Sequence, residues 1–363
     1  MAIEDKGVRA SMPQHISRFP YVNGGLFKEH IPVPVLSRRT RTLMLKCGEY
    51  NWKEINPDIF GSMIQAVINP EVRSGMGVHY TSVPNIMKVI KPLFLDELTE
   101  EYARIKDDVK KLRLLLNRLG KIKFFDPACG SGNFLIIAYK CIRELEIEIW
   151  ERIKTLQGGQ SEFPFSNITL QQFYGIEIDE YACDTATLSL WLAEHQMNNK
   201  FYERLGTRPD ALPLRPSGHI VCGNACRLDW NTVCPHTADE EVYVMGNPPY
   251  LGARLQEESH KADMEYAMGN VIAFNNLDYI SIWFFLGAKY VQDSKAYAAF
   301  VSTNSICQGE QVAILWKPIF EKTNAEIYFG YKSFKWSNNA KNNAGVSCTI
   351  IGLRNKSKEK FEK

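Results

Sequence analysis

Two short motifs in this chain have residue types and spacing suited to chemistry. The first is Asp126-Pro127-Ala128-Cys129-Gly130-Ser131-Gly132-Asn133, between a short apolar run and a long amphipathic one. Gly130 and Gly132 can take positive φ and let backbone approach a ligand closely. A helix opening near Asn133 would present free N–H groups there, and Asp126, at a strand's carboxyl end, can accept hydrogen bonds from an ammonium group. A Gly-x-Gly alone fits an ordinary tight turn equally well. Leu135 stands where a dinucleotide fingerprint would have its third glycine, which turns the reading away from dinucleotides. A second acid, in Gly175-Ile176-Glu177-Ile178-Asp179, closes the next apolar run and suits a ribose diol. The interval from Gly130 to Glu177 exceeds the roughly 20 residues of dinucleotide folds; an extended first helix and the polar loop Gln157–Asn167 account for the excess.

The second motif is Asn247-Pro248-Pro249-Tyr250. Two prolines cannot continue a strand and fix φ near −65°, so the turn is stiff and suits preorganised hydrogen bonding. The Asn247 side-chain carbonyl and the Pro248 backbone carbonyl can together accept both hydrogens of a planar NH2 group. Such a nitrogen is a poor nucleophile because its lone pair is delocalised; accepting both N–H bonds favours the tetrahedral, nucleophilic form. Tyr250 can stack on the planar group.

These motifs need a sheet to hold them. Candidate strands are Ile122–Phe125, Phe173–Ile176, His219–Cys222, Glu241–Met245, Tyr297–Ser302, Glu326–Phe329 and Ser347–Gly352. Candidate helices are Asn133–Ile153, Tyr181–Gln196, Asp278–Val291 and Glu310–Phe320. The alternation predicts an α/β fold of parallel βαβ units with right-handed crossovers. Only the last two strands lack an intervening helical pattern, so they should form an antiparallel hairpin. Upstream, Ser82–Leu119 has a helical stripe through Ile86, Val89, Ile90, Leu93, Phe94 and Leu98, and Asn51–Gln65 fits a short helix. The expected division is an irregular lead-in over 1–65, a helical cap over 66–120, the sheet domain over 121–355 and a charged tail over 356–363.

Composition narrows the class. The 363 residues are 45% hydrophobic, 23% charged and 12% aromatic, so disordered, collagenous and coiled-coil readings fall away. No run approaches about 18 consecutive apolar residues, which gives no expectation of a membrane span. The polar start, Met1–Arg18, lacks a secretory h-region, and the nine cysteines read as reduced cytosolic thiols. Lys and Arg total 43 against 41 for Asp and Glu, a net of +2. Arg38, Arg39 and Arg41 form the lead-in's basic cluster, but there is no strongly basic domain of the kind a dedicated nucleic-acid binder shows.

With both motifs in view, the sequence resembles the adenine-specific, S-adenosylmethionine-dependent DNA methyltransferases. Asp126–Gly132 looks like their cofactor motif and Asn247–Tyr250 like their catalytic one, in the order of the gamma arrangement. Gly77-Val78-His79-Tyr80-Thr81 resembles the segment that closes over the methionine end of the cofactor. The likeness is greatest to single-chain type II restriction–modification enzymes, and includes Phe19–Gly24 and Phe334–Asn339. It spans about residues 18–355. It implies a Rossmann-like class I methyltransferase fold, a seven-stranded mostly parallel sheet with an antiparallel C-terminal hairpin, plus an N-terminal helical cap.

The resemblance also implies roles. Tyr80, Thr81, Asp126, Ala128, Gly130, Gly132, Glu177, Ile178 and Asn224 would bind S-adenosylmethionine, Glu177 at the ribose and Ile178 and Asn224 at the adenine. The family more often has Asp at the position of Asn224. Asn247, Pro248, Pro249 and Tyr250 would be catalytic, with Tyr250 and a second aromatic, either Phe334 or Trp336, stacking on an adenine flipped from double-stranded DNA. Transfer to N6 would be direct and in line, needing no metal. The implied setting is a prokaryotic cytoplasm and a restriction–modification or phage-defence system. Relatives of this kind carry a target-recognition domain after the last strand; the sequence stops at Lys363, so a separate or missing recognition module is expected. An RNA or protein-glutamine N-methyltransferase, and an inactive fragment of a modification enzyme, are the alternatives.

Other clusters have simpler explanations. His219, Cys222, Cys226, Cys234 and His236 lack paired zinc-ligand spacing. Cys129 has no His or Asp tied to it and reads as a small packing residue. His79 reads as structural, and Trp283, Phe284 and Phe285 as a buried helix face.

Overall fold

A computed structural model describes residues 12–14, 34–50, 81–158, 163–207, 218–335 and 347–356. Its centre is a seven-stranded sheet: β1 (Lys123–Asp126), β2 (Phe173–Glu177), β3 (His219–Cys222), β4 (Glu241–Gly246), β5 (Lys295–Thr303), β6 (Ala325–Lys335) and β7 (Ser347–Asn355), in the order β3-β2-β1-β4-β5-β7-β6. Strands β1 to β5 run parallel, while β7 is antiparallel to both β5 and β6. The order reverses between β1 and β4. The carboxyl ends of those neighbours therefore flank a crevice at the switch point, where open α/β sheets bind ligands.

Alternation along β1 divides the core. Phe124 points to one face, where it stacks on Phe173 (centroids 4.9 Å apart) and meets Phe94 edge-on; Phe125 points to the other and meets Trp230 edge-on. The first face is covered by α2 (Val83–Ile90), α3 (Asp96–Ile105), α4 (Val109–Leu119), α5 (Asn133–Leu156) and α6 (Glu180–Leu205). The second is covered by α7 (Glu258–Met268), α8 (Ser281–Val291) and α9 (Lys317–Lys322). Each fully buried Phe contributes about 1.5–3 kcal/mol, so both faces are strongly specified. Among the described residues no helix is long and apolar enough to cross a membrane.

The structure revises several expected boundaries. The expected helix over Ser82–Leu119 is broken at 106–108, where Asp108 caps α4 by accepting from the N–H groups of Lys110 and Lys111 (3.0 and 3.2 Å). Between α2 and α3, residues Lys91–Leu95 form a π-helical turn in which the Asp96 N–H donates to the Lys91 carbonyl. Pro92 lies inside it. Proline has no N–H and its ring crowds the carbonyl four residues back, so the ladder widens locally. A second π turn, Val312–Trp316, precedes Pro318 and interrupts the helix expected over Glu310–Phe320, which resumes as α9.

The lead-in is not wholly irregular, because α1 (Arg38–Gly48) is a helix capped by Ser37, whose Oγ accepts from the Thr40 N–H (3.1 Å). None of its residues is buried, so no inward face disclosed it. The expected helix Asn51–Gln65 lies outside the described residues, as do Phe19–Gly24 and the segment 77–80. One ion-pair hub fastens the helical layer to the sheet. Arg118 of α4 grips Glu241 of β4 with Nε and Nη2 (2.9 and 2.7 Å) and also bonds Glu97 and Glu101 of α3.

Candidate active site

The glycine loop leaves β1 at Asp126 and enters α5 at Asn133. Gly130 has φ +53° and Gly132 φ +84°, both left-handed, so the loop requires glycine at each. A Cβ on Gly130 would project into open space, whereas one on Gly132 would press on Ala186 Cβ at 3.2 Å. Gly132 therefore packs the loop against α6, and Gly130 leaves a gap. The Gly130 N–H donates to Glu177 Oε2 (2.8 Å), and the Cys129 N–H to the Ile176 carbonyl (3.0 Å), joining the ends of β1 and β2.

Asp126 is buried, with 1% of its surface exposed. Its Oδ1 accepts from the Ala128 N–H (3.0 Å), while Oδ2 has no partner among the described residues. Burial, aided by the nearby Glu177 charge and opposed by the Ala128 bond, pushes its pKa up to about 8. Asn133 Oδ1 is also buried and unpartnered among the described residues. Buried acceptors without donors are costly, and both suit a cationic or N–H-bearing group brought in from solution. Burial also raises Glu177, against three backbone N–H bonds that favour its charged form: those of Gly130, Ile178 and Asp179. The Ile178 side chain beside it is exposed and offers an apolar surface.

The Asn-Pro-Pro-Tyr turn follows β4, next to β1. Gly246 immediately before it is dictated by contact: a Cβ there would lie 2.6 Å from Asp126 Oδ1. The glycine loop and the proline turn thus touch through one backbone position. Asn247 Nδ2 donates to Thr81 Oγ1 (3.2 Å), and Asn247 Oδ1 is buried with no partner among the described residues. Thr81 is itself buried. Pro248 is buried, and Pro249 and Tyr250 are half-buried. Burial raises the Tyr250 phenol, with further contributions from Cys348 of β7 and from Asp278.

The structure therefore brings Thr81, Asp126, Ala128, Gly130, Gly132 and Glu177 to the same sheet end as Asn247–Tyr250. Asn224 is committed elsewhere. Its Oδ1 accepts from the Cys226 N–H (2.9 Å) and its Nδ2 donates to Asp263 Oδ2 (2.9 Å), so it works as a turn residue. Asp263 also accepts from Arg227 and Tyr279; burial opposes its charge, but these bonds outweigh it and hold the carboxyl below its ordinary range. Phe334 lies under the Lys88 ammonium (4.0 Å to the ring centroid) and pairs in register with Cys348 of β7. Tyr80, His79 and Trp336 lie outside the described residues.

The discounted side chains have structural neighbours. Among the described residues no three His, Cys, Asp or Glu side chains converge as a metal site requires. His219 stacks on Tyr174 and His236 packs on Tyr290. Cys129 is buried, its thiol pushed well up by burial, and its Sγ would meet a Cβ on Gly175 at 2.9 Å. Trp283, Phe284 and Phe285 are buried; Trp283 Nε1 donates to the Pro127 carbonyl and so braces the glycine loop from α8. Sequence reasoning missed the Thr81–Asn247 bond and the brace from α8. Neither has a local signal, since the partners are far apart in the chain.

Comparison with known proteins agrees with this geometry. A family model described as "MmeI, DNA-methyltransferase domain" matches residues 102–362. DNA methyltransferase A of Bacillus subtilis (strain 168) is 56% identical over 352 residues, covering 96% of this chain and 40% of that protein. The type II restriction enzyme and methyltransferase RM.Eco57I of Escherichia coli is 22% identical over 284 residues, covering 68% of this chain and 27% of that protein. Among solved structures, the type IIL restriction–modification enzyme MmeI in complex with DNA superposes with a TM-score of 0.89 at 39% identity, covering 97% of this chain and 48% of that one. The chain spans well under half the length of the two relatives and about half that of the solved chain.

Proposed function

Since the chain belongs to the MmeI DNA-methyltransferase domain family, we propose that it methylates N6 of adenine in double-stranded DNA with S-adenosylmethionine, in the bacterial cytoplasm as part of a restriction–modification or phage-defence system. The observation that carries the chemistry is the fixed amide of Asn247. With Nδ2 tied to Thr81, its Oδ1 is left as a buried acceptor beside the Pro248 carbonyl. Two acceptors on a rigid turn suit an exocyclic NH2, and Tyr250 supplies a ring for stacking. Extruding the base costs a few kcal/mol, offset by these contacts.

The residues fit the cofactor. Asp126 Oδ2 and Asn133 Oδ1 are acceptors awaiting donors, Gly130 keeps a gap beside them, and Glu177 lies at the neighbouring strand end. Asp126 would hold the methionine ammonium and Glu177 the ribose hydroxyls, with Ile178 against the adenine. Bound S-adenosylmethionine would supply an electrophilic methyl on a sulfonium. Asn247 and Pro248 would accept the amino hydrogens and draw the nitrogen toward tetrahedral geometry. Their alignment, rather than a strong base, is what the chain contributes.

Tritium transfer from labelled S-adenosylmethionine to duplex DNA tests the reading. Asn247→Ala is expected to cut the rate by about 10²-fold or more, as when one preorganised polar contact is lost, while cofactor affinity measured by calorimetry stays unchanged. Label appearing in RNA or in glutamine-bearing protein but not in DNA would overturn it.

A further inference from the structure

Leu251, the residue after Tyr250, has both backbone groups gripped. Its N–H donates to Asp278 Oδ1 (2.8 Å), and its carbonyl accepts from the Tyr279 N–H and from Gln256 Nε2 (3.0 Å each). Asp278 is 4% exposed. Its Oδ1 also accepts from the Ile280 N–H (3.3 Å), its Oδ2 from Thr303 Oγ1 (3.4 Å), and its own N–H donates to Gln311 Oε1 (3.2 Å). One buried carboxylate therefore joins the end of β5, the approach to α8 and the proline turn. A local turn before α8 needs only the Ile280 bond, which a serine could also make. The bond to Leu251 reaches 27 positions back along the chain, and burying a carboxylate to make it is costly.

We propose that Asp278 is a positioning residue for the catalytic turn: by holding Leu251 it fixes the plane of the Tyr250 ring and the direction of the Pro248 carbonyl. Leu251 adjoins Tyr250 in the chain, so the base of the ring is held by Asp278 through the Leu251 N–H (2.8 Å). Its mechanistic consequence rests on the methyltransferase reading; the placement of Tyr250 does not.

The test compares Asp278→Ser, which keeps an acceptor for Ile280 but is too short for Leu251, with Asp278→Asn, whose amide oxygen can still accept from Leu251. In Asp278→Ser, kcat for DNA methylation is expected to fall by about 10²-fold, the scale of a 1 Å misplacement, with the Kd for S-adenosylmethionine unchanged. Asp278→Asn should retain most of the rate. Independently of activity, the protein labelled with 3-fluorotyrosine should show a 19F resonance, assigned by its loss in Tyr250→Phe, that shifts or broadens in Asp278→Ser and not in Asp278→Asn. An unmoved resonance and full kcat in Asp278→Ser would overturn the proposal. So would a folded Asp278→Asn that loses kcat, which is the deciding variant if Asp278→Ser does not fold. If the unmutated protein labels no DNA, the methyltransferase reading falls while the 19F comparison still decides the role of Asp278.

Discussion

Asp126 shows how a single side chain can be unfavourable for the fold and useful for binding. Its carboxyl titrates near 8 in the folded chain against 3.8 ordinarily. Between those values the unfolded state holds fewer protons, so stability falls as pH rises toward 8. Asp126→Asn should therefore raise Tm at pH 8.5 by about 2 °C or more, measured by scanning calorimetry, and remove the loss of cofactor affinity on lowering the pH from 8.5 to 6.5 that Asp126 causes. In the unmutated protein, an ammonium ligand favours the carboxylate. Affinity for S-adenosylmethionine should weaken from pH 8.5 to pH 6.5, by at most about tenfold per pH unit, as isothermal titration can show. Flat affinity across that range would contradict the assignment of Asp126 to the ammonium. Asp126, the two glycines and Asn247 were legible in sequence as neighbours at one sheet end, because each belongs to a local motif that closes a strand. Asn224 was not, because whether an amide faces a pocket or closes a turn depends on Asp263, a residue far along the chain.

At the scale of elements, strands were the most legible feature, since β1, β2, β4 and β5 are buried on both faces and read as short apolar runs, while the edge strand β3 is exposed or half-buried throughout. Helix ends were less so. α6 runs to Leu205, past the expected stop at Gln196, because Asn198 is a buried partner of Arg143 (3.0 Å) and not a terminator. α7 turns only Asp263, Met264 and Met268 inward, too sparse a stripe to announce a helix. The Arg118 hub is likewise invisible in sequence, since Glu97 and Glu101 come from α3 and Glu241 from β4, far along the chain. Its bidentate, half-buried geometry should make it worth more than an isolated surface pair. Arg118→Met is expected to cost about 1–3 kcal/mol, read as a lower urea midpoint at unchanged m-value. No change in midpoint would mean that apolar packing, including the buried leucines of α4 and Phe94 against Tyr243 (5.0 Å), suffices to fasten the helical layer to the sheet.

For the molecule as a whole, a net charge of +2 sits oddly beside the polyanionic substrate proposed for it. Phosphate contacts dominate duplex affinity and make it fall with salt. With so nearly balanced a charge, binding of duplex DNA by this chain should be weak at physiological salt and strengthen steeply as salt is lowered, which fluorescence anisotropy can follow. Tight binding at physiological salt would show that local groups outweigh the balance; α1, with Arg38, Arg39, Arg41 and Lys46 and no acid, is the first place to look. The mostly parallel sheet and its antiparallel last pair follow from patterns short enough to read in one chain. The relation of charge to substrate does not, because it is a property of the whole surface.

The π turn at Lys91–Leu95 is, in effect, one residue of slack in a screw thread. Each residue advances a helix by about 100° of rotation, so the extra one sets the angular phase at which α3 meets α4. Removing a residue there would restore an unbroken thread up to the proline and turn α3 by about a quarter revolution. Glu97 and Glu101 would then face away from Arg118. The kink beside Pro92 thus works as a phase adjuster, keyed to a guanidinium lying in the neighbouring helix.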